Sequence, residues 1–358
     1  MVTTREEPRN LRLGIWTPLP HTIPPEPRMQ AAVDRLTRPG GVGIADPSFE
    51  FACDVVSRAE AAGFSTTLIA ARFLGPDLEA FMLASALAVR TRSIELLVAV
   101  HPGIFPPQVV AKMAASLDRL SAGRCALNIV NGWWADEFAL FSNGAALDGD
   151  GERYLRMREF VDVLQRMLSG TTFDYDGQFY YAQGGFLPIR PARDHIPFYA
   201  ASRALEGKEV VAELCDLWFT DYAPDHKAFQ ANFERMRGDV AAMKSRARSR
   251  GRDLECGISC HVICAPDAAE AERRAAVLLA YAQRDRIAAV AAKGLGAGLV
   301  GTPELVASRI RAYYEVGITC LMLHFHPMLD GLQTFVDRVI PLLDDIPIYR
   351  APQCEVRS

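Results

Sequence analysis

The sequence has no hydrophobic run of the roughly 20 residues that a membrane-spanning helix requires. Its first nine residues are mostly polar or charged, and they lack the apolar core of a secretory signal peptide. The eight cysteines are scattered along the chain and show no paired CxxC spacing. We therefore expect a cytoplasmic protein with reduced thiols and no contact with a membrane.

The chain also lacks an excess of basic charge. Its formal net charge is −4, so no positive field favours a nucleic acid as partner. The motifs GxSxG and HExxH are absent, and no pair of carboxylates follows the predicted strands. These absences disfavour serine-hydrolase, zinc-protease and glycosidase chemistry.

Three of the cysteines recur every four residues, at Cys256, Cys260 and Cys264. They fall in a predicted strand, where four residues span about 13 Å, which is too far for the thiolates to share one metal ion. We therefore interpret them as core residues and expect no metal site.

Eight short apolar segments alternate with eight amphipathic helical segments. The predicted strands are residues 11–17, 67–71, 94–100, 127–131, 197–201, 217–220, 256–265 and 320–325. This alternation indicates parallel strands joined by helices, and eight repeats without a domain break favour a closed barrel over an open sheet. The predicted fold is α/β, a single (β/α)8 TIM barrel over residues 1–358, with residues 1–10 and 346–358 as flexible tails.

Insertions follow several of the predicted strands, at residues 18–46, 132–151, 171–196 and 285–301. The third contains a predicted hairpin over residues 173–181, with Asp176-Gly177 as its turn. The fourth contains Gly296-Ala-Gly-Leu-Val-Gly301, which matches the glycine pattern of dinucleotide-binding loops. Because no predicted strand precedes this segment and no acidic residue follows about 20 residues on, we interpret it as a flexible lid.

The most informative stretch is the end of the fourth strand, where Asn131-Gly132 is followed by Trp133-Trp134. Amides and indoles need partners when they are buried, so this stretch favours a site over an ordinary loop. Polar or aromatic residues stand at or near the ends of the other strands at Trp16, Arg72, His101, Ser202, His261, His324 and His326. Gathered at one barrel mouth, these side chains predict a site for a polar or anionic ligand.

The segments Asn128-Ile-Val-Asn-Gly-Trp-Trp-Ala-Asp-Glu-Phe138 and Gly151-Glu-Arg-Tyr154 resemble the bacterial luciferase-like flavin monooxygenases. Within that superfamily the chain is most similar to the alkanesulfonate, dimethyl sulfone and pyrimidine ring-opening monooxygenases. The resemblance extends from about residue 11 to residue 344. It implies a barrel that binds reduced FMN supplied by a separate NAD(P)H-dependent flavin reductase, and that uses O2 to oxidise a small organic substrate.

The resemblance also implies roles for individual residues. The cofactor-binding residues would be Asn128 and Asn131 at the isoalloxazine, Tyr154 and Ser202 at the ribityl phosphate, and Ala201 and His101. The substrate-binding residues would be Trp16, Arg72, Trp133 and His324, and the catalytic residues His261, Arg72 and His326.

Two of these residues have side-chain chemistry that suits such a reaction. Arg72 stays charged at any working pH and can bind a sulfonate or carboxylate through two parallel hydrogen bonds. An unperturbed histidine titrates near neutral pH, so we expect His261 to assist proton transfer.

The predicted function is that of an FMNH2-dependent, two-component monooxygenase that cleaves a small organosulfur compound of the alkanesulfonate or sulfone type. Three alternatives stay open. They are a flavin monooxygenase that cleaves a pyrimidine or another C–N bond, an oxidoreductase dependent on the deazaflavin F420, and a non-catalytic flavin-binding barrel. The resemblance and the apolar helices further predict a homo-oligomer, a dimer or a tetramer.

Overall fold

A ring of eight parallel strands organises the chain. The computed structural model describes residues 10–18, 46–132, 134–142, 150–283 and 292–351. In it each barrel strand pairs with the next one along the chain, and the last strand pairs in parallel with the first. The predicted (β/α)8 barrel is therefore confirmed, and all of its strands present their C-terminal ends at the same mouth.

The elements are labelled in chain order. The barrel strands are β1 (Arg12–Trp16), β2 (Thr66–Ile69), β3 (Glu95–Val100), β4 (Cys125–Ile129), β7 (Phe198–Ala201), β8 (Leu217–Phe219), β9 (Glu255–Cys264) and β11 (Ile318–Phe325). The other strands are β5 (Phe173–Asp176) and β6 (Tyr181–Gly185), which form a hairpin, and β10 (Val300–Gly301), which pairs with the end of β9.

The helices of the described residues surround the barrel or lie in its loops. They are α1 (Pro47–Ala61), α2 (Ala80–Ala88), α3 (Pro107–Leu120), α4 (Ala135–Phe141), α5 (Asp150–Ser169), α6 (Leu205–Leu214), α7 (Phe229–Arg248), α8 (Ala268–Ala282), α9 (Pro303–Glu315) and α10 (Met328–Arg338). Capping side chains fix several helix starts. Asp46 accepts a hydrogen bond from the amide of Ser48 at 2.8 Å, and Asp267 accepts one from Glu270 at 2.8 Å.

The two faces of each barrel strand have different partners. On β9, Cys256, Cys260 and Cys264 point outward and are buried beneath the helices, as the sequence predicted for core residues. The alternate residues Ser259 and His261 belong to the inner face, because side chains of a strand alternate. The inner face is filled in its middle by an apolar cluster that includes Leu97.

The lower end of the barrel interior is polar. Tyr199 donates a hydrogen bond to Glu95 at 2.9 Å, and Arg12 forms an ion pair with Glu255 at 2.8 Å. The interior thus has a paired polar layer at the N-terminal end and an apolar layer in the middle.

The predicted hairpin is present, but its turn is longer than predicted. β5 ends at Asp176 and β6 begins at Tyr181, and the amide of Gly177 donates to the carbonyl oxygen of Tyr180 at 3.0 Å. The prediction of a two-residue turn at Asp176-Gly177 is wrong because Glu159, on α5, accepts hydrogen bonds from the backbone amides of residues 178–180. This tertiary contact selects the wider turn.

The prediction of a flexible lid at residues 285–301 is wrong for its second half. Residues 285–291 lie outside the described residues, whereas Lys293–Ala297 forms a 3-10 turn and Val300–Gly301 pairs with β9. A Cβ atom on Gly296 would lie 2.0 Å from the carbonyl oxygen of Ala223. The glycines therefore serve close packing against the barrel.

Three other features of the structure differ from the prediction. The loop after β4 contains the short helix α4, which the sequence pattern did not indicate. The sequence pattern predicts one last helix near residues 331–344, whereas in the structure α10 ends at Arg338 and a separate 3-10 turn, Ile340–Leu343, follows. Part of the expected C-terminal tail is bound to the barrel, because Leu11 exchanges backbone hydrogen bonds with Pro347 and Tyr349.

One buried carboxylate joins three segments at the N-terminal end of the barrel. Asp118 is fully buried at the end of α3, and its oxygens accept hydrogen bonds from the amides of Cys125, Ala192 and Arg193 at 3.2, 2.8 and 3.2 Å. Its Oδ1 also lies 3.2 Å from the guanidinium of Arg193. The carboxylate thereby fixes the start of β4 against the segment that leads into β7.

We predict that Asp118→Ala lowers the free energy of unfolding by about 3–5 kcal/mol, because it leaves buried donors and a guanidinium without their acceptor. Asp162→Ala, which removes the solvent-accessible ion pair with Arg166, should change it by less than about 1 kcal/mol. Urea denaturation of both variants measures the difference. Equal losses of unfolding free energy in the two variants would show that Asp118 contributes no more than an exposed ion pair does.

Candidate active site

Two histidines on neighbouring strands form one wall of the mouth. His261 on β9 and His324 on β11 are register partners, so their side chains point the same way, and their ring centroids lie 4.2 Å apart. Both are buried, and the Nδ1 atom of each has no hydrogen-bond partner among the described residues. Buried polar atoms of this kind mark a place where a ligand or water would bind.

The floor beside this pair is held by an indole. Trp16, at the end of β1, donates from Nε1 to the hydroxyl of Ser259 at 2.9 Å and packs on the inner apolar cluster. Gly14 makes room below it, since a Cβ atom there would lie 2.7 Å from Met322. The result is an aromatic surface at the centre of the barrel, next to the histidine wall.

The glycine-rich segment covers the outer side of His261. A Cβ atom on Gly294 would lie 2.7 Å from the His261 ring, and Asn232 holds the segment by donating to the carbonyl oxygen of Gly296 at 2.9 Å. This close cover removes water from the ring. Burial is the main cause that lowers the pKa of His261 to about 3, and the charge of His326 adds to it.

The other histidines of the mouth are neutral at pH 7 for the same reason. Burial lowers the pKa of His326 to about 4, and that of His324 lies well below its ordinary value through burial and its two histidine neighbours. Burial also lowers the pKa of His101 to about 4. The reason given for His261, a titration near neutral pH, is therefore wrong for the folded protein. Its imidazole is a neutral donor and acceptor.

His101 lies across the mouth at the end of β3. Its Nε2 donates to the carbonyl oxygen of Ala71 at 3.1 Å, which makes Nδ1 the acceptor in the neutral ring. That Nδ1 has no partner among the described residues. The rings of Phe73 and Phe138 each pack edge-on at 6.2 Å. The Nδ1 atom of His101 can therefore accept a hydrogen bond from a ligand, at a position flanked by two phenylalanine rings.

Arg72 is already paired in the structure. Its Nε and Nη2 donate to the two carboxylate oxygens of Asp77 at 2.6 and 2.5 Å, and both side chains are buried. Asp77 thus occupies the Nε–Nη2 edge of the guanidinium, so that edge is not open to a bidentate contact, and the predicted role of Arg72 in substrate binding stays a prediction. Only Nη1 has no hydrogen-bond partner in the described part of the chain.

Tyr154 on α5 and Ser202 after β7 come together, although 48 residues separate them. Their hydroxyls lie 3.4 Å apart, and both residues are buried. A Cβ atom on Gly207 would lie 2.1 Å from the Ser202 hydroxyl. Ala204, the residue at the start of α6, supplies no capping side chain. The first amides of α6 therefore stand beside two hydroxyls, an arrangement that suits a phosphate.

The other residues predicted to bind the cofactor or the substrate do not all lie on one face of the barrel. Asn128 lies in β4 opposite Tyr199 and faces the interior, whereas Asn131 lies beyond the strand end with a buried Nδ2 that has no described partner. Because the two differ by three positions, the strand does not place them on one face. Ala201 is exposed at the end of β7. Trp133 lies outside the described residues.

Sequence reasoning missed four residues that shape this site: Asp77, Glu137, Gly207 and Gly294. Asp77 follows Arg72 by five positions, and its charge was the available signal. Glu137 lies inside the motif that carried the family resemblance. The two glycines gave no signal, because only their tertiary neighbours explain them.

A cavity of about 360 Å³ lies at the opposite end of the barrel, lined by residues that include Arg12, Thr66 and Glu95. Some of its charged groups are paired, as in the ion pairs of Arg12 with Glu255 and of Arg193 with Asp118. The N-terminal face of such a barrel serves stability, and the mouth carries the chemistry. The mouth is therefore the candidate active site.

No group of three or more histidine, cysteine or acidic side chains among the described residues is arranged to hold a metal ion. None of the described helices is both long and apolar enough to cross a membrane.

A closed parallel barrel with polar groups collected at its C-terminal mouth has the architecture of a TIM-barrel enzyme. Residues 29–320 match the family model of the luciferase-like monooxygenases, which is more than half of the chain. The protein belongs to this family. By class it is a flavin-dependent monooxygenase.

Solved structures with the same fold cover nearly the whole chain. A riboflavin lyase with modified FMN and its substrate riboflavin has a TM-score of 0.73 at 16% identity, covering 96% of this chain and 94% of that one. The EDTA monooxygenase of Chelativorans sp. BNC1 has a TM-score of 0.70 at 18%, covering 94% of both. The F420-dependent tetrahydromethanopterin reductase of Methanopyrus kandleri has 0.64 at 18%, covering 94% and 100%.

Because the buried histidines are neutral, we predict that the stability of the protein falls as the pH is lowered. His101 has a folded-state pKa of about 4, below the roughly 6.5 of an unfolded histidine, so its contribution to stability is lost as pH falls below about 6.5. His101→Gln keeps a donor for Ala71 but cannot take up the proton. Between pH 7 and pH 5 we expect this variant to lose about 2 kcal/mol less unfolding free energy than the wild type.

Urea denaturation at pH 5, 6 and 7 measures the two slopes, and the constant offset between pH 7 and pH 8 serves as the control. Parallel slopes for the variant and the wild type would contradict the assignment of a neutral, buried His101.

Proposed function

We propose that the protein binds reduced FMN, supplied by a separate NAD(P)H-dependent flavin reductase, and uses O2 to oxidise and cleave a small organosulfur compound of the sulfonate or sulfone type. The observation that carries this proposal is the Tyr154–Ser202 pair beside the uncapped start of α6, within a mouth walled by neutral histidines.

The phosphate end of FMN fits the Tyr154–Ser202 corner. Two buried hydroxyls and the first amides of α6 supply donors, and the helix dipole favours an anion there. Gly207 keeps the helix close to Ser202, since any side chain there would collide with the hydroxyl. The corner selects a flavin with a phosphate over riboflavin.

The ring of the flavin fits the interior of the mouth. A flavin requires aromatic or apolar walls and a few amide contacts, which Trp16 and Asn128 supply from the inner faces of β1 and β4. When bound, reduced flavin supplies the electrons that activate O2. The protein's part is to bind the ring, to exclude water and to orient the substrate.

The histidine wall acts as a set of neutral hydrogen-bonding groups. Because His261 and His324 do not ionise at pH 7, each presents a donor and an acceptor to a substrate or to oxygen without adding charge. A neutral imidazole can accept a proton during the reaction and return it afterwards. We assign this role to His261, with His326 and His324 beside it.

The substrate end is less charged than the sequence suggested. Asp77 compensates the charge of Arg72, so Arg72 offers one nitrogen, Nη1, to an oxygen of the substrate. A sulfone or sulfonate oxygen accepts such a single hydrogen bond. A pyrimidine carbonyl accepts it as well, so cleavage of a C–N bond is the second candidate.

Exposed apolar side chains support the proposal of a homo-oligomer, a dimer or a tetramer. Met82 on α2 and Val89, the residue that follows α2, are 64% and 79% exposed, and Leu120 on the neighbouring α3 is 68% exposed. Exposed apolar side chains on neighbouring helices are candidates for a protein interface. Sedimentation at working concentration decides the point, and a monomeric mass would refute the oligomer.

The proposed activity is tested by O2 consumption with reduced FMN, a flavin reductase and a panel of alkanesulfonates, sulfones and uracil, with sulfite and product detection. Substrate-dependent O2 uptake with sulfite release supports the proposal. Oxidation of reduced F420 without use of FMN would replace it by an F420-dependent oxidoreductase. Flavin binding without O2 uptake would leave a non-catalytic barrel.

Removing the hydroxyls of the phosphate corner should weaken flavin binding. We expect Tyr154→Phe and Ser202→Ala each to reduce the binding free energy of reduced FMN by about 0.5–3 kcal/mol, because each loses a hydrogen bond to the phosphate. Tyr181→Phe, on the exposed hairpin, is the control and should bind normally. Anaerobic fluorescence titration measures the affinities, and unchanged values for both variants would remove the corner from the site.

Removing the imidazole of His261 should slow the chemical step. We expect His261→Ala to lower kcat by about 10²–10⁴-fold with flavin affinity retained, because a group that moves a proton acts in the transition state. Cys260→Ala alters the outer face of the same strand and should leave kcat near the wild-type value. If His261→Ala leaves kcat unchanged, the role passes to His324 or His326.

A further inference from the structure

Glu137 is a buried acid that no proposed step has used. It lies on α4, in the loop after β4, and is fully buried. Its Oε1 accepts hydrogen bonds from the backbone amides of Phe73 and Leu74 at 2.5 and 3.3 Å. These amides belong to residues 72–77, the loop after β2, which we call the Arg72 loop. The two loops are 63 residues apart in sequence and are joined by one carboxylate.

The Arg72 loop is folded tightly around its own ion pair. Arg72 and Asp77 stand at its two ends and bind each other through two hydrogen bonds. Gly75 lies between them, and a Cβ atom there would lie 2.3 Å from the Asp77 carboxylate. The ion pair closes the loop, but it does not fix the loop to the barrel mouth.

Glu137 supplies that fixation. The aromatic rings of the same two segments also pack together, with Phe73 and Phe141 at 5.4 Å. Burial raises the pKa of Glu137, while the two amide bonds and the charge of Arg72 favour its carboxylate form. A buried carboxylate that accepts two amides of another loop is an anchor, and losing it exposes the loop to rearrangement.

We propose that Glu137 is a positioning residue that fixes the Arg72 loop to the loop after β4, so that the two loops form one rigid side of the mouth. The inference rests on the proposed function, since the unpartnered Nη1 of Arg72 is useful only where a substrate reaches it. Displacing a contact by about 1 Å can cost on the order of 10²-fold in rate.

The chain contains a matched control. Glu60 also accepts hydrogen bonds from successive backbone amides, those of residues 92–94, but it does so at the N-terminal end of the barrel. Glu60→Ala therefore removes a carboxylate that binds backbone amides, from a partly buried position far from the mouth. If Glu137→Ala loses more activity than Glu60→Ala, the additional loss reports the displacement of the Arg72 loop and not lower stability alone.

The test compares Glu137→Ala, Glu137→Gln and Glu60→Ala by amide exchange, reduced-FMN affinity and turnover of the substrate found in the panel. We expect Glu137→Ala to speed amide exchange at Phe73 and Leu74. We also expect it to lower kcat/KM by about 10–100-fold, through a higher KM, a lower kcat or both. Glu137→Gln keeps an acceptor oxygen and should restore most of the activity. Glu60→Ala should stay within about twofold of wild type, once stability is matched.

Two results would overturn the proposal: unchanged exchange at Phe73 and Leu74 in Glu137→Ala, or a kcat/KM equal to that of Glu60→Ala. If Glu137→Ala does not fold, Glu137→Asp replaces it, since its carboxylate is one methylene short of the amides. A wild type that neither binds flavin nor consumes O2 would refute the proposed function, whereas the exchange comparison would still decide whether Glu137 holds the Arg72 loop.

Discussion

Closure of the parallel sheet is the constraint on which the rest of the structure depends. Because β1 pairs with β11 and β8 with β9, the alternation along each strand decides which side chains face the interior and which face the helices. The register of β9 with β11 sets His261 directly beside His324. A shift of one residue would send both imidazoles into the helical layer and bring cysteines into the mouth.

Desolvation then decides what the enclosed groups can do. Histidine was attractive from sequence because its unperturbed pKa lies near 7, yet enclosure favours the uncharged ring and lowers the pKa of His261 to about 3. The same enclosure makes an unpaired guanidinium costly, and Asp77 supplies its counter-charge. The histidine and arginine side of the mouth is thus polar but nearly uncharged, and it offers hydrogen bonds rather than net charge to a bound ligand.

The sequence was sufficient for properties that local pattern encodes. The barrel, the outward cysteines of β9 and the meeting of Tyr154 with Ser202 all follow from alternation, strand order and family motifs. The contacts of Glu137 could not be predicted from the sequence, because the two amides that Glu137 binds lie in a loop 63 residues away. The turn after β5 was misjudged for the same reason, since a distant glutamate and not the local Asp-Gly pair selects it.

The glycine-rich segment shows why such errors are systematic. A glycine is required wherever a backbone must come close to another group, and that group can be a phosphate, a carbonyl or a ring. In this protein Gly296 approaches the carbonyl oxygen of Ala223 and Gly298 approaches the ring of Phe229, so the glycine spacing that resembles a nucleotide-binding loop arises from packing. Gly294, just before this pattern, approaches the ring of His261. The same segment keeps water from His261. The glycines therefore act on the chemistry of the mouth through the environment of one histidine, without contacting a phosphate.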